Sequence, residues 1–104
     1  MIRLVNTQVR NYEGKEIVVG EIDDVSQRLS DFITEVKACC PKNILFAYKD
    51  QVSDFRTMLF CVADYPQEIV VYFKQDYPNQ GYIEHGIAHE LMHKKRITGP
   101  GLEI

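Results

Sequence analysis

The chain has 104 residues, 45% of them hydrophobic and 26% charged, which is the composition of one ordinary globular domain and leaves no room for two independent cores. Its formal net charge of -3, from 12 basic and 15 acidic residues, argues against nucleic acid or an anionic membrane surface as the main partner. No apolar stretch approaches the roughly 18 residues of a membrane span, and no basic region followed by a long apolar run opens the chain, so we expect neither a membrane segment nor a secretory signal.

The beginning of the chain predicts a β-hairpin. Residues 2–9 mix β-branched and polar residues in partial alternation, and residues 17–19 are again β-branched. The sequence Asn-Tyr-Glu-Gly at positions 11–14 supplies turn residues between the two runs. We therefore expect two antiparallel strands joined at this turn.

A helix is predicted next, over residues 24–40. Its apolar side chains recur at spacings of three and four, as an amphipathic helix requires: Val25, Leu29, Phe32, Ile33 and Val36. Asp23 and Asp24 stand where an N-cap belongs. Pro41 ends the helix, because the residue before a proline disfavours helical backbone.

Three short apolar runs follow, at residues 44–48, 58–62 and 69–73. Their length and their aromatic and β-branched residues favour strands of one sheet. A second helix is predicted over residues 82–97, with Asn79 near its start and a Gly-Pro-Gly sequence after its end. Its apolar stripe consists of Ile83, Ile87 and Leu91, broadened by Ala88 and Met92.

The order of elements, β-β-α-β-β-β-α, predicts an α+β fold. We expect a single domain over residues 1–104, with a mixed, mostly antiparallel sheet of about four to five strands and two helices. The cysteine count is odd, and the adjacent Cys39 and Cys40 are poorly placed for a disulfide within one domain. Together with Cys61 they are expected to be free, buried thiols in a cytoplasmic protein.

The chemistry of the sequence is concentrated in the second predicted helix, where His89, Glu90 and His93 form a His-Glu-x-x-His motif. Histidines four residues apart lie on one face of a helix, about one turn from each other and within reach of a single tetrahedral zinc ion. Glu90 is too close to the first histidine along the chain to ligate comfortably, so its carboxylate can act as the general base for an attacking water. The alternative is a surface helix in which these side chains are incidental, or histidines that bond strand carbonyls.

Residues 69–99 resemble the strand and active-site helix of the zincin metallopeptidases. The resemblance implies that the domain is a zincin-like upper subdomain, that His89 and His93 are zinc ligands, and that Glu90 is the catalytic base. It also implies that an edge strand of the sheet runs antiparallel to bound substrate. One of the last two predicted strands would take that place, and residues 69–73 are the nearer in sequence.

The third zinc ligand does not follow from the family pattern. Metzincins place a Gly three residues and a His six residues after the second His, where this chain has Arg96 and Gly99. Gluzincins take a Glu from a second helix well downstream, whereas eleven residues follow His93. We therefore expect a minimal or truncated version of the fold.

Several candidates remain for the third position. Glu103 follows the Gly-Pro-Gly turn, which can reverse the chain toward the metal. His85 lies one turn before the motif, but three ligands at successive four-residue steps extend about 12 Å along a helix and cannot converge, so we expect a hydrogen-bonding or surface role. Asp64 and Asp76 border predicted strands and are expected in turns. A residue from a second subunit is a further alternative, since a truncated fold leaves a face uncovered and favours a dimer.

The sequence thus predicts zinc-dependent hydrolysis of a peptide bond, with zinc as the cofactor and a peptide or protein as the substrate. The alternative, from a different class, is a catalytically inactive, truncated zincin-like module that serves as a small oligomeric interaction or metal-binding protein. The other expected partner is a second copy of the chain, as a homo-oligomer. Neither nucleic acid nor a membrane is expected as a partner.

Overall fold

The computed structural model describes residues 1–52 and 58–98. In chain order, the described elements are β1 (Arg3–Tyr12), β2 (Lys15–Asp23), α1 (Gln27–Cys39), β3 (Asn43–Tyr48), a 3₁₀ turn (Lys49–Gln51), β4 (Phe60–Asp64), β5 (Glu68–Phe73) and α2 (Gln80–Thr98). The predicted α+β fold and the order of its elements are confirmed. None of the described helices combines the length and the apolar character that crossing a membrane requires.

The strands form a five-stranded sheet in the order β1-β2-β3-β5-β4. The pair β3–β5 is parallel, and the other three pairs are antiparallel, which confirms the mixed, mostly antiparallel sheet. Both helices pack on one face of this sheet. The core on that face consists of buried side chains from the sheet and from both helices: Leu29, Val36, Phe46, Val71, Phe73, Ile83, Ile87 and Leu91.

The predicted hairpin is confirmed, and its turn has the geometry that two-residue hairpins favour. Glu13 and Gly14 connect β1 and β2, and both have positive φ, 55° and 89°, as a type I′ turn requires. The Gly14 N–H donates to the Asn11 side-chain oxygen at 3.0 Å. Nearer the start of β1, between Val5 and Gln8, the pairing register with β2 shifts, and this strand forms a bulge.

The first helix starts later than predicted, and its N-cap is Ser26 instead of Asp23 or Asp24. The Ser26 hydroxyl accepts a hydrogen bond from the Leu29 N–H at 3.2 Å. Asp24 has a φ of 60°, and its carboxylate binds the terminal amine of Met1 at 2.7 Å. Because Asp24 adopts left-handed backbone, the helix cannot begin there.

One strand and the second helix begin two residues away from their predicted starts. The strand predicted over residues 58–62 is β4, which begins at Phe60, and Met58 is exposed before it. The second helix begins at Gln80, where the Tyr82 N–H donates to the Asn79 side-chain oxygen at 3.0 Å, so Asn79 caps it. The Gly-Pro-Gly sequence predicted to end the helix lies outside the described residues.

The opposite face of the sheet holds a buried carboxylate that the sequence did not indicate. Glu68, at the start of β5, is only 7% exposed. Tyr12 donates its hydroxyl to this carboxylate, and the Arg10 side chain donates to it at 3.2 Å. The Tyr12 ring stacks on Tyr65 with a centroid distance of 3.9 Å. These contacts satisfy Glu68 and fasten the tip of the hairpin to the turn before β5.

The three cysteines are free, as predicted, but they are not all buried. Cys61 in β4 is buried, Cys40 is half-buried, and Cys39 is exposed at the end of α1. Cys39 lies on the solvent side of α1, whereas Val36, three residues earlier, is buried. The prediction of a buried side chain was therefore wrong for Cys39.

The cysteines are expected to react with a thiol reagent at very different rates. Burial, and secondarily the charge of Glu90, raises the pKa of the Cys61 thiol to about 11, so near pH 8 it carries very little thiolate. Labelling followed by mass spectrometry should show Cys61 reacting at least about 100-fold more slowly than Cys39. In urea the two rates should converge, and a rapidly labelled Cys61 in the folded protein would contradict the structure.

Candidate metal centre

The two histidines of the motif come together on the exposed face of α2. The Nε2 atoms of His89 and His93 are 3.1 Å apart, and the ring centroids are 4.6 Å apart. Two nitrogens bound to one tetrahedral zinc at 2.0–2.1 Å lie about 3.4 Å from each other. The pair therefore reaches zinc-binding geometry with a shift of a few tenths of an ångström, so these residues fit two of the ligands of a zinc ion.

One stripe of α2 carries the whole motif. Gly86, His89, Glu90 and His93 follow the spacing i, i+3, i+4, i+7, so they share one side of the helix. The Gly86 end of this stripe packs directly against the ring of Phe60 in β4. The Gly86 end of the stripe therefore faces β4.

A second contact shows that α2 and β4 run side by side in the same direction. Near the far end of the motif, Lys94 donates to the Asp64 carboxylate at 3.2 Å. Phe60 begins β4 and Asp64 ends it. The helix from Gly86 to Lys94 is about 12 Å long, and the strand is about 13 Å long, so both contacts fit one parallel alignment. The segment of α2 that carries the motif therefore runs alongside β4.

The strand beside the motif is an edge of the sheet. Within the described residues β4 pairs with β5 alone, through the register Phe60↔Phe73 to Asp64↔Ile69. The segment 69–73, taken from the sequence as the nearer candidate for the edge, lies instead in β5 between two other strands and is fully buried. The parallel pairing of β3 with β5 leaves the outer position to β4.

Glu90 lies on the inner side of the motif, closer to the sheet than the histidines. It is half-buried, whereas His89 and His93 are exposed. Its charge contributes, after burial, to the raised pKa of Cys61 in β4. Among the described residues, no hydrogen bond or ion pair engages the Glu90 carboxylate. The group is therefore available to accept a proton beside the histidine pair.

The other candidate ligands do not join the pair. His85 is exposed one turn earlier on α2. Asp64 accepts from Lys42 at 2.6 Å and from Lys94, and these two cations hold the pKa of its carboxyl below the usual value. Asp76 pairs with Lys74 at 3.1 Å. Glu103 lies outside the described residues. Over 1–52 and 58–98, no three His, Cys, Asp or Glu side chains are grouped so that they could hold a metal ion.

A groove between α1 and α2 adjoins the histidine pair on the side away from β4. Its volume is about 710 Å³, and His89 is part of its wall. The groove also contains apolar residues and carboxylates that the motif did not single out: Leu29, Phe32, Ala88 and Met92, with Asp31, Glu35 and Glu84. Glu84 accepts from both the Ser26 N–H and the Ser26 hydroxyl, which ties the starts of the two helices together. No sequence pattern links these residues, because the helices are distant along the chain.

Replacing Gly86 by Ala should move β4 away from the motif. A Cβ at this position would overlap the Phe60 ring, although alanine favours helix over glycine by about 1 kcal/mol. We expect the cost of the overlap to exceed the gain in helix preference, with a net loss of about 1 kcal/mol in unfolding free energy measured by urea denaturation. The double variant Gly86→Ala, Phe60→Val removes the overlapping ring. If Gly86→Ala costs the same in that background, the overlap is not the cause.

The arrangement offers two imidazoles to a cation, with a carboxylate on the same side of the helix and, within residues 1–52 and 58–98, a neighbouring strand that pairs on one side only. These groups belong to two neighbouring elements, α2 and β4.

Comparisons with protein-family models, curated proteins and solved structures gave no match to this chain.

Proposed function

We propose that the protein is a zinc-dependent peptidase of the zincin type. The observation that carries this proposal is the approach of the His89 and His93 Nε2 atoms to 3.1 Å, one turn apart on the helix that packs against β4. In this proposal His89 and His93 bind zinc. Glu90 is the general base, and β4 positions the substrate.

In the proposed reaction the zinc ion and Glu90 have separate roles. When bound, zinc polarises the carbonyl of the scissile peptide bond and lowers the pKa of the attacking water. Glu90 accepts the proton of that water and passes it to the leaving amine. Its half-buried position supports this role, because exclusion of solvent strengthens electrostatic interactions with the reacting groups.

The backbone of the edge strand β4 would hold the peptide substrate in this proposal. As far as the chain is described, β4 pairs with β5 alone, and an extended peptide can bond as an added strand to backbone N–H and C=O groups along the other side of such a strand. Because α2 runs alongside β4, a peptide held there would pass next to the histidine pair. In this proposal the scissile bond would lie at the zinc site.

A second candidate function is metal binding without catalysis, in a small interaction module. It is favoured by the finding that only two potential ligands converge among the described residues. A site with two protein ligands holds zinc more loosely than one with three or four. This candidate shares the zinc site with the peptidase and lacks its chemistry.

Metal content and cleavage together test the proposal. Protein purified without added zinc should contain zinc, and His89→Ala should lose it. His85→Ala, which changes an exposed histidine one turn away, is the matched control and should retain it. A peptide library should be cleaved by the wild type and protected by a chelator. Zinc content that is unaffected by His89→Ala would exclude the site, and bound zinc without cleavage would favour the second candidate.

A further inference from the structure

An exposed aromatic side chain that the proposed reaction does not use lies at the start of the edge strand. Tyr82, in the first turn of α2, is 47% exposed, and its ring centroid lies 5.9 Å from that of Phe60, the first residue of β4. The Tyr77 ring lies 6.0 Å from the same ring. Phe60 and Tyr77 are half-buried and pack against the core, so they hold the Tyr82 ring in place while nearly half of that residue contacts solvent. We call Phe60, Tyr77 and Tyr82 the aromatic platform.

The aromatic platform offers both apolar surface and a polar group. Among the described residues the Tyr82 hydroxyl has no hydrogen-bond partner, although the backbone N–H of this residue bonds to Asn79. Met58, two residues before β4, is 48% exposed, so large exposed side chains occur on both elements at this end of the strand. Grouped apolar side chains indicate a binding surface more often than isolated ones do.

The distance from the platform to the histidine pair follows from the helix. Tyr82, Gly86, His89 and His93 are spaced by four, three and four residues, so they share one stripe of α2. Along the helix axis, Tyr82 precedes His89 by about 10 Å and the middle of the histidine pair by about 13 Å. An extended peptide covers this distance with three to four residues. A peptide held on β4 with its scissile bond at the pair would therefore pass the platform three or four residues from that bond.

We propose that the aromatic platform selects the substrate and that Tyr82 determines its specificity. The substrate class is peptides with an aromatic or large aliphatic side chain three or four residues from the cleaved bond. This inference rests on the proposed function and names the substrate of the same site. Because the platform lies at the start of β4, the selected side chain is on the carboxyl side of the bond in a peptide antiparallel to β4, and on the amino side in a parallel one.

The contact with substrate would resemble the contact that Tyr82 makes with Phe60. Those two rings are tilted by 56°, an arrangement that lies between stacked and edge-to-face pairs. An aromatic side chain of the substrate can pack on the exposed part of the Tyr82 ring in the same way, and apolar surface of both is then removed from water. Aromatic pairs of this kind change affinity by a factor of about 2 to 10. A small or charged side chain gains little there.

Cleavage of a randomised ten-residue peptide library, followed by kinetics on two peptides, tests the inference. The two peptides share the best-cleaved sequence and differ by Phe or Ala at the position that the library selects. We expect the wild type to prefer the Phe peptide about 10-fold in kcat/KM, mainly through KM, since the contact is made before the chemical step. Tyr82→Ala should reduce the preference to about 2-fold, and Tyr82→Phe, which keeps the ring, should retain most of it. Met92→Ala changes a side chain of α2 that is 46% exposed in the groove, and this matched control should keep the preference.

Other outcomes separate this inference from the proposed function. Cleavage without a preference three or four residues from the bond, or a preference that Tyr82→Ala leaves unchanged, would overturn the inference and leave the peptidase proposal standing. If no peptide is cleaved, the same library is passed over immobilised wild type and Tyr82→Ala in EDTA. Enrichment of aromatic peptides on the wild type alone would then support the platform as a peptide-binding surface without catalysis. Equal capture by both proteins, or no capture, would overturn it.

Discussion

Replacing Glu90 by Gln is expected to slow peptide hydrolysis by a factor of about 10²–10⁴ while zinc stays bound. The amide has the shape of the carboxylate but cannot take the proton of the attacking water. Since no described residue bonds to the Glu90 carboxylate, the change removes a charge and leaves the packing of α2 intact. The measurement is kcat on a cleaved library peptide, with zinc content determined on the same samples.

The Cys61 thiol provides an internal control for this variant. The Glu90 charge is one cause of the raised Cys61 pKa, so Glu90→Gln should lower that pKa and speed labelling of the buried thiol without unfolding the protein. Faster labelling with an unchanged urea midpoint, retained zinc and lost cleavage would show that only the charge changed. Cleavage equal to that of the wild type would remove Glu90 from the mechanism.

Replacing Gly20 by Ala is expected to cost about 3 kcal/mol of unfolding free energy. Gly20 lies in β2, and a Cβ there would be 2.5 Å from the backbone oxygen of Val5 in β1. The bulge in β1, with Asn6 at a φ of 53°, brings that oxygen over the glycine. A backbone oxygen cannot swing aside as a side chain can, so the β1–β2 pairing must give way.

Urea denaturation of Gly20→Ala beside Gly81→Ala measures this effect. At Gly81, in the first turn of α2, an added Cβ meets only the Asn79 side-chain oxygen at 3.4 Å, which is an ordinary contact. Gly81→Ala should therefore leave the midpoint unchanged or raise it slightly, because alanine favours helix. Similar midpoints for the two variants would show that the approach of β1 to Gly20 is not as close as described.

Elements with local signals were predicted from the sequence, and the order of strands was not. The Glu13-Gly14 turn and the three- and four-residue spacing of apolar side chains act over a few residues, so the hairpin and both helices followed from them. The edge position of β4 depends on β3 pairing with β5, two strands separated by a further strand in the chain. No local pattern specifies such a pairing, so the sequence left the edge open between residues 58–62 and 69–73, of which only the former is at the edge.

The same distinction applies to the candidate site. The His89 and His93 pair follows from helical geometry alone, and the structure brings the two rings together as expected. The alignment of α2 with β4 depends on the Gly86 contact with Phe60 and on the Lys94 ion pair, which join segments some 25 or more residues apart along the chain. The N-cap of α1 was missed for a local reason, because Asp24 and Ser26 are both good capping residues and backbone conformation decides between them.

Both proposed ligands come from a single turn of α2, so their spacing is independent of how the sheet closes. An unfolded chain that forms this turn transiently presents the same two nitrogens to a metal ion. Affinity for the unfolded chain offsets part of the stabilisation that a ligand otherwise gives to the folded state. Zinc would therefore raise the melting temperature less than its affinity suggests. Burial of Ile83, Ile87 and Leu91 against the sheet, and not the ion, maintains the fold.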